Sequence, residues 1–133
     1  LRGLMMIHLM NTEIIEVAAD GKTAKGVWLS PGTETAPQTG KEKGAWCWGK
    51  YEVEFIKEDG IWKFWHMILY PLFLSPYNRS WGQPAPEKML GQIQLEDPMC
   101  QPLDAPMWEY GPDAEYPYDE PAMPDPYDHY KGL

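Results

Sequence analysis

The chain has 133 residues, 44% hydrophobic and 23% charged, the size and composition of one soluble folded domain. Its formal net charge of −9 disfavours nucleic-acid backbones and anionic membrane surfaces as partners. Cys47 and Cys100 make no disulfide framework and match no metal-ligand spacing, so a reduced, cytoplasmic protein is expected. No apolar run reaches transmembrane length, because Met67 to Leu74 is broken by Pro71. The sequence opens on Leu1 rather than Met and passes almost directly into strand-like sequence, so an N-terminal portion is expected to be missing.

Taken in chain order, the first half reads as strands. Ile7 to Val17 is rich in apolar and β-branched residues and predicts one strand. Asp20-Gly21 is a hairpin-type turn, and Thr23 to Leu29 is the return strand. Ser30 to Gly44, with its Pro, Gly, Thr and Lys, predicts an exposed loop. Ala45 to Ile56 is a third strand, with Tyr51, Val53 and Phe55 on one face and Lys50, Glu52 and Glu54 on the other. Asp59-Gly60 is a second hairpin turn. It leads into a fourth strand, Ile61 to Leu69, with Trp62, Phe64, His66 and Ile68 predicted on one face. Tyr70 and Pro71 are expected to end it. Past Lys63 this strand is apolar on both sides, so both sides need cover, and a homo-oligomer (dimer or trimer) is expected.

Near Tyr70 the composition changes. Residues 1–70 hold two prolines, eight basic and nine acidic residues; residues 71–133 hold twelve prolines, three basic and eleven acidic residues. The chain therefore divides into a strand-rich core, 1–70, and a Pro/Tyr/acidic extension, 71–133. Proline limits the unfolded chain's freedom and Tyr supplies contact area with few rotors. That suits an extended segment lying on the core or on a neighbouring subunit. Within it, only Pro86 to Gln94 reads as a helical turn or two. The tail carboxylates lack calcium-loop spacing, and no Gly-rich phosphate loop or nucleophile elbow occurs, so neither metal nor cofactor is expected.

The order His8-Leu9-Met10-Asn11, Ile14-Ile15-Glu16-Val17, Asp20-Gly21-Lys22-Thr23-Ala24 resembles the middle of SnoaL-like proteins of the nuclear transport factor 2-like superfamily. Tyr51-Glu52-Val53-Glu54-Phe55, followed by Glu58-Asp59-Gly60-Ile61-Trp62-Lys63-Phe64, resembles that family's Tyr-containing strand and closing hairpin. The resemblance covers about residues 5–70. It implies an α+β fold in which a strongly curved antiparallel sheet forms a cone-shaped barrel around an apolar pocket, with this chain supplying mostly the β part. The family's helices precede the His and have no counterpart here. In its dehydratases (scytalone dehydratase, bile acid 7α-dehydratase) an Asp and a Tyr of the site come from that portion, so only the His carries over, onto His8.

Three residues are the candidates for catalysis. His8, at a strand entry, is suited to move a proton at a carbon next to a carbonyl or hydroxyl; the plainer alternative is a strand-end residue bonded to backbone. His66 is expected to enter the same apolar pocket opposite His8, as the second acid–base group, against the alternative of a core or interface histidine. Tyr51 is a hydrogen-bond donor to a substrate oxygen, or else a core Tyr whose hydroxyl reaches the rim. For substrate binding, Asn11 would orient His8 or a ligand, Trp62 and Phe64 would form the walls, and Tyr70 would stand at the mouth. Trp28, Trp46, Trp48 and Trp65 read as packing, and Cys47 as a buried inert thiol.

The resulting expectation is a cofactor-independent lyase, dehydratase or isomerase acting on a small hydrophobic, aromatic or polycyclic molecule. The alternative is a non-catalytic small-molecule-binding or assembly domain of the same fold. A third reading, ranked last, makes the tail a Pro/Tyr ligand for other proteins. The enzyme reading requires His8 and His66 to open into one hollow. Imidazoles on opposite sides of the sheet leave a scaffold.

Overall fold

The structure, a computed structural model, describes residues 5–36, 43–83, 113–116 and 119–131. It contains five strands: β1 (Met5–His8), β2 (Asn11–Val17), β3 (Thr23–Ala36), β4 (Lys43–Glu58) and β5 (Ile61–Pro76). They form one antiparallel sheet, β1-β3-β4-β5, with β2 also paired to β3. The sheet is strongly curved into a half-barrel. No helix occurs among the described residues, and the helical turn expected at Pro86 to Gln94 lies outside them.

The expected first strand is broken. β1 pairs with the far half of β3 (His8 opposite Gly32) and β2 with the near half (Val17 opposite Ala24). Leu9 and Met10 join them, and the Leu9 N–H still donates to the Pro31 carbonyl at 3.1 Å. The residues 30–36, read from sequence as loop, are strand. Pairing with β1 on one side and β4 on the other outweighs the turn preference of Pro31 and Gly32.

At Asp59-Gly60 both φ angles are positive, 51° and 79°, as a two-residue primed hairpin requires. β5 then runs six residues past Tyr70. Pro71 has no N–H to give the ladder, and the register shifts beside it: Gly49 faces Pro71 while Trp48 faces Phe73, leaving Leu72 as a bulge.

A second bulge decides where the site residues go. Glu54 faces His66, but Phe55 faces Phe64, so Trp65 is one residue too many on β5. Side chains alternate with period two, and a single inserted residue reverses which face the rest of the strand presents. Trp62 and Phe64 therefore share a face with Phe55. His66 and Ile68 share the other face with Glu54 and Glu52.

The two faces are built differently. On the first lie Trp28, Ser30, Cys47, Tyr51, Val53 and Phe55, and Val53 is 0% exposed. Trp28 meets Phe55 edge-on at 6.0 Å, and Phe55 meets Phe64 at 5.1 Å. On the second face, Trp48, Phe73 and Trp81 stack in series at 5.8 Å spacings. Residues 119–131 cross this second face. The Ala19 and Asp20 amides donate to the carbonyls of Tyr127 and Asp128 at 2.9 and 3.1 Å.

Candidate functional site

On the first face, His8 stands at the end of β1, above Gly32. A Cβ at position 32 would lie 2.6 Å from the imidazole Cδ2 and within 3 Å of two backbone carbonyls. Glycine is thus what lets the ring lie across β3 toward β4. There Nδ1 shares a hydrogen bond with the Tyr51 hydroxyl at 3.1 Å. Nε2, 3.9 Å from a Glu34 carboxylate oxygen, is buried and has no hydrogen-bond partner among the described residues. Cys47 faces Gly32 across the β3–β4 ladder, so its thiol joins the same group. Donor atoms of His8, Glu34 and Cys47 all lie within 4.8 Å of one another. A second buried polar atom without a partner among the described residues, Ser30 Oγ, is on this face one row away.

The electrostatics fit a partly enclosed position. Burial pushes the Cys47 thiol up to about 11, and the Glu34 carboxylate adds to it. Burial also raises the Tyr51 phenol, with Cys47 contributing. Both groups therefore stay protonated at neutral pH, so Cys47 is an unreactive thiol and Tyr51 can donate a hydrogen bond.

The expected pairing of His8 with His66 does not occur. The bulge at Trp65 puts His66 on the opposite face, where its Nδ1–H donates to Glu54 at 2.8 Å. Glu54, 5% exposed, also accepts from Lys25 at 3.1 Å and from the Tyr130 hydroxyl of the tail at 3.1 Å. Burial alone would raise its carboxyl, but the hydrogen bonds from His66, Lys25 and Tyr130, with the Lys25 charge, hold it below the ordinary value. This is a saturated network that fastens the tail. Beside it, Lys50 donates to the Glu120 carbonyl at 2.7 Å and lies 5.1 Å from the Tyr116 ring.

Two other sequence assignments fail as well, Tyr70 because β5 continues to Pro76 and Asn11 because it lies on the face opposite His8. Tyr70 is no mouth residue: it sits mid-strand on the tail face, where its hydroxyl donates to Glu52 at 2.8 Å. Asn11 faces Leu29, exposed and on the tail face, so it does not orient His8. Trp62 and Phe64 do lie on the His8 face, through Lys57 and Phe55, and Phe64 is 64% exposed. Sequence reasoning missed Glu34, because its segment was read as loop. It also gave Cys47 no role, because no partner is near it in sequence.

A groove of about 310 Å³ separates the tail from the sheet, between Lys25, Val27 and Glu52 on one side and Met123, Tyr127 and His129 on the other. It lies on the tail face, away from the His8 group. The family model of the SnoaL-like domain matches residues 2–68, half of the chain. The chain belongs to the SnoaL-like domain family. The match takes in β1 to β4 and the first half of β5, so the SnoaL-like part is the half-barrel up to residue 68. SnoaL-like proteins include polyketide cyclases and isomerases and typically bind small hydrophobic ligands. No curated protein matches the SnoaL-like chain. Among its described residues, no helix is long and apolar enough to cross a membrane.

Proposed function

We propose that the chain binds a small hydrophobic molecule on the face of the half-barrel that carries His8, Tyr51, Trp28, Phe55 and Phe64. The observation that supports this most is an aromatic row ending in polar atoms that lack partners among the described residues. Trp28, Phe55 and Phe64 are in ring contact, and Phe64 is left exposed. His8 Nε2 and Ser30 Oγ are buried on the same face and have no hydrogen-bond partner among the described residues. An aromatic or polycyclic ligand with one oxygen substituent meets both demands, with its rings on the aromatic row and its oxygen toward the imidazole. With His66 on the other face, the condition set for the two-histidine enzyme fails and that reading is withdrawn; binding stands first, and any catalysis would have to come from His8 alone.

A second reading is favoured by one feature of His8. The Tyr51 hydroxyl engages Nδ1, which leaves Nε2 as the nitrogen able to take or give a proton. A single imidazole with a phenol donor suffices for an isomerase or a dehydratase whose substrate supplies its own leaving group. No cofactor is assigned to either reading.

The test uses 2-naphthol as probe and follows Trp fluorescence of the whole chain. Binding that weakens about tenfold or more in Phe64→Ala and Tyr51→Phe, and is unchanged in His66→Ala, is the expected result. Binding lost in His66→Ala and retained in Phe64→Ala moves the site to the tail face. We further propose that the exposed apolar residues of the outer strands, among them Met6, Ile15, Met67 and Trp65, are covered in a homo-oligomer. Light scattering that shows a stable monomer would exclude this.

A further inference from the structure

We propose that His8, Glu34 and Cys47 form a binding site for a single divalent cation of borderline softness, Zn²⁺ being the best match. The three residues come from three different strands, β1, β3 and β4, and occupy neighbouring positions on one face. One nitrogen, one carboxylate oxygen and one sulfur converge, the donor types Zn²⁺ selects. All lie within 4.8 Å of one another, with His8 Nε2 and Glu34 Oε2 at 3.9 Å. Tetrahedral ligands bonded at about 2.0–2.3 Å stand roughly 3.3–3.8 Å apart, so closing on an ion takes about 1 Å of side-chain rotation.

Two independent features point to an occupant. The Nε2 atom is buried with no hydrogen-bond partner among the described residues, an arrangement that costs free energy unless something fills it. The other ring nitrogen is held by the Tyr51 hydroxyl. Metal-ligating histidines are oriented in this way: a second group takes one nitrogen and leaves the opposite lone pair directed at the ion. Ser30 Oγ, in a residue 2% exposed and without a hydrogen-bond partner among the described residues, lies one row away on the same face. The proximity of Glu34 to Cys47, which opposes thiolate formation in the metal-free protein, becomes favourable once a dication stands between them.

Sequence inspection for cysteine pairs and His-rich runs does not detect such a site. Its ligands are 26 and 13 residues apart, and only the β3 and β4 registers bring them together. The ion and a proton compete for the same Nε2 lone pair, so the metal-loaded form is distinct from the form that would transfer protons. The inference does not rest on ligand binding at the aromatic row.

The experiment titrates the whole chain, carrying Cys100→Ser so that Cys47 is the single thiol, with Co²⁺ as a spectroscopic stand-in for Zn²⁺. Saturation at one equivalent is expected, with visible bands of tetrahedral Co²⁺ and a near-ultraviolet thiolate-to-cobalt band. Cys47→Ser should abolish the thiolate band. His8→Ala and Glu34→Gln should each weaken binding about tenfold or more, while His66→Ala leaves it unchanged. No saturable band at one equivalent, or a thiolate band that survives Cys47→Ser, overturns the site. Where Cys47→Ser fails to fold, X-ray absorption at the zinc edge of the folded Cys100→Ser chain with one equivalent of Zn²⁺ decides: one sulfur among the ligands is expected, and a shell of nitrogen and oxygen alone overturns the proposal. Binding of 2-naphthol measured with a chelator present reports on the aromatic row and His8 without metal, so failure of either proposal leaves the other readable.

Discussion

The two histidines of the sheet show how differently its faces are finished. His66 belongs to a network in which a buried carboxylate accepts from an imidazole, an ammonium and a phenol, and the tail is fastened by the same atoms. His8 belongs to a group in which one ring nitrogen is bonded and the other is buried without a partner among the described residues. Saturated buried networks hold structure, whereas incomplete ones mark places where something else completes the bonding. The tail face is therefore read as structural and the His8 face as functional.

The sharpest way to break this contrast is at Gly32. An alanine there places its Cβ against His8 and against the backbone carbonyls of Ile7 and Cys47. Since backbone must shift, Gly32→Ala should cost about 3 kcal/mol in urea unfolding and displace β1 together with the His8 group. A variant of parent stability would show that the ring does not lie over this position.

Glu54→Gln should come next, at about 2 kcal/mol, because it removes the charge that three donors share. Proteolysis within residues 119–131 should accelerate, while the His8 group is unaffected. If the tail remains protected, the backbone bonds from Ala19 and Asp20 suffice to hold it.

The same carboxylate sets an acid limb of stability. Its folded value lies below the unfolded 4.5. Its contribution is therefore complete above pH 4.5 and declines as pH falls below that value toward the folded one. Stability measured against pH should show this limb in the parent and lose it in Glu54→Gln. An identical acid limb in both would assign it to other carboxylates.

How much of this was legible in the sequence follows from what each signal encodes. Asp59-Gly60 sits on its turn because positive φ at both positions is a local demand. The Tyr51, Val53, Phe55 alternation holds because no bulge interrupts β4 on that stretch. The resemblance carried by residues 5–70 placed His8 at a strand entry, whereas it is the last residue of β1. What failed was parity. Nothing local in Phe64-Trp65-His66 announces an extra residue, yet that residue sends the second histidine to the other face. The segment 30–36 failed for a related reason, since Pro31 and Gly32 are turn formers that a strand tolerates once it is paired on both sides. Glu34 was lost with it.

The smallest expected effects compare single hydroxyls on the two faces. Tyr51→Phe removes the hydrogen bond to His8 and should cost about 1 kcal/mol, with a change in the imidazole tautomer. Tyr130→Phe removes one of three donors to Glu54 and should cost about 0.5 kcal/mol, since two remain. Equal costs would weaken the claim that one network is saturated and the other is not.

The division of labour between the faces is tested most directly by nitrogen-detected imidazole spectra of the whole chain during titration with 2-naphthol in the presence of a chelator. Resonances of His8 should move progressively while those of His66 stay fixed to the end of the titration. Movement of His66 with His8 unchanged would contradict the account.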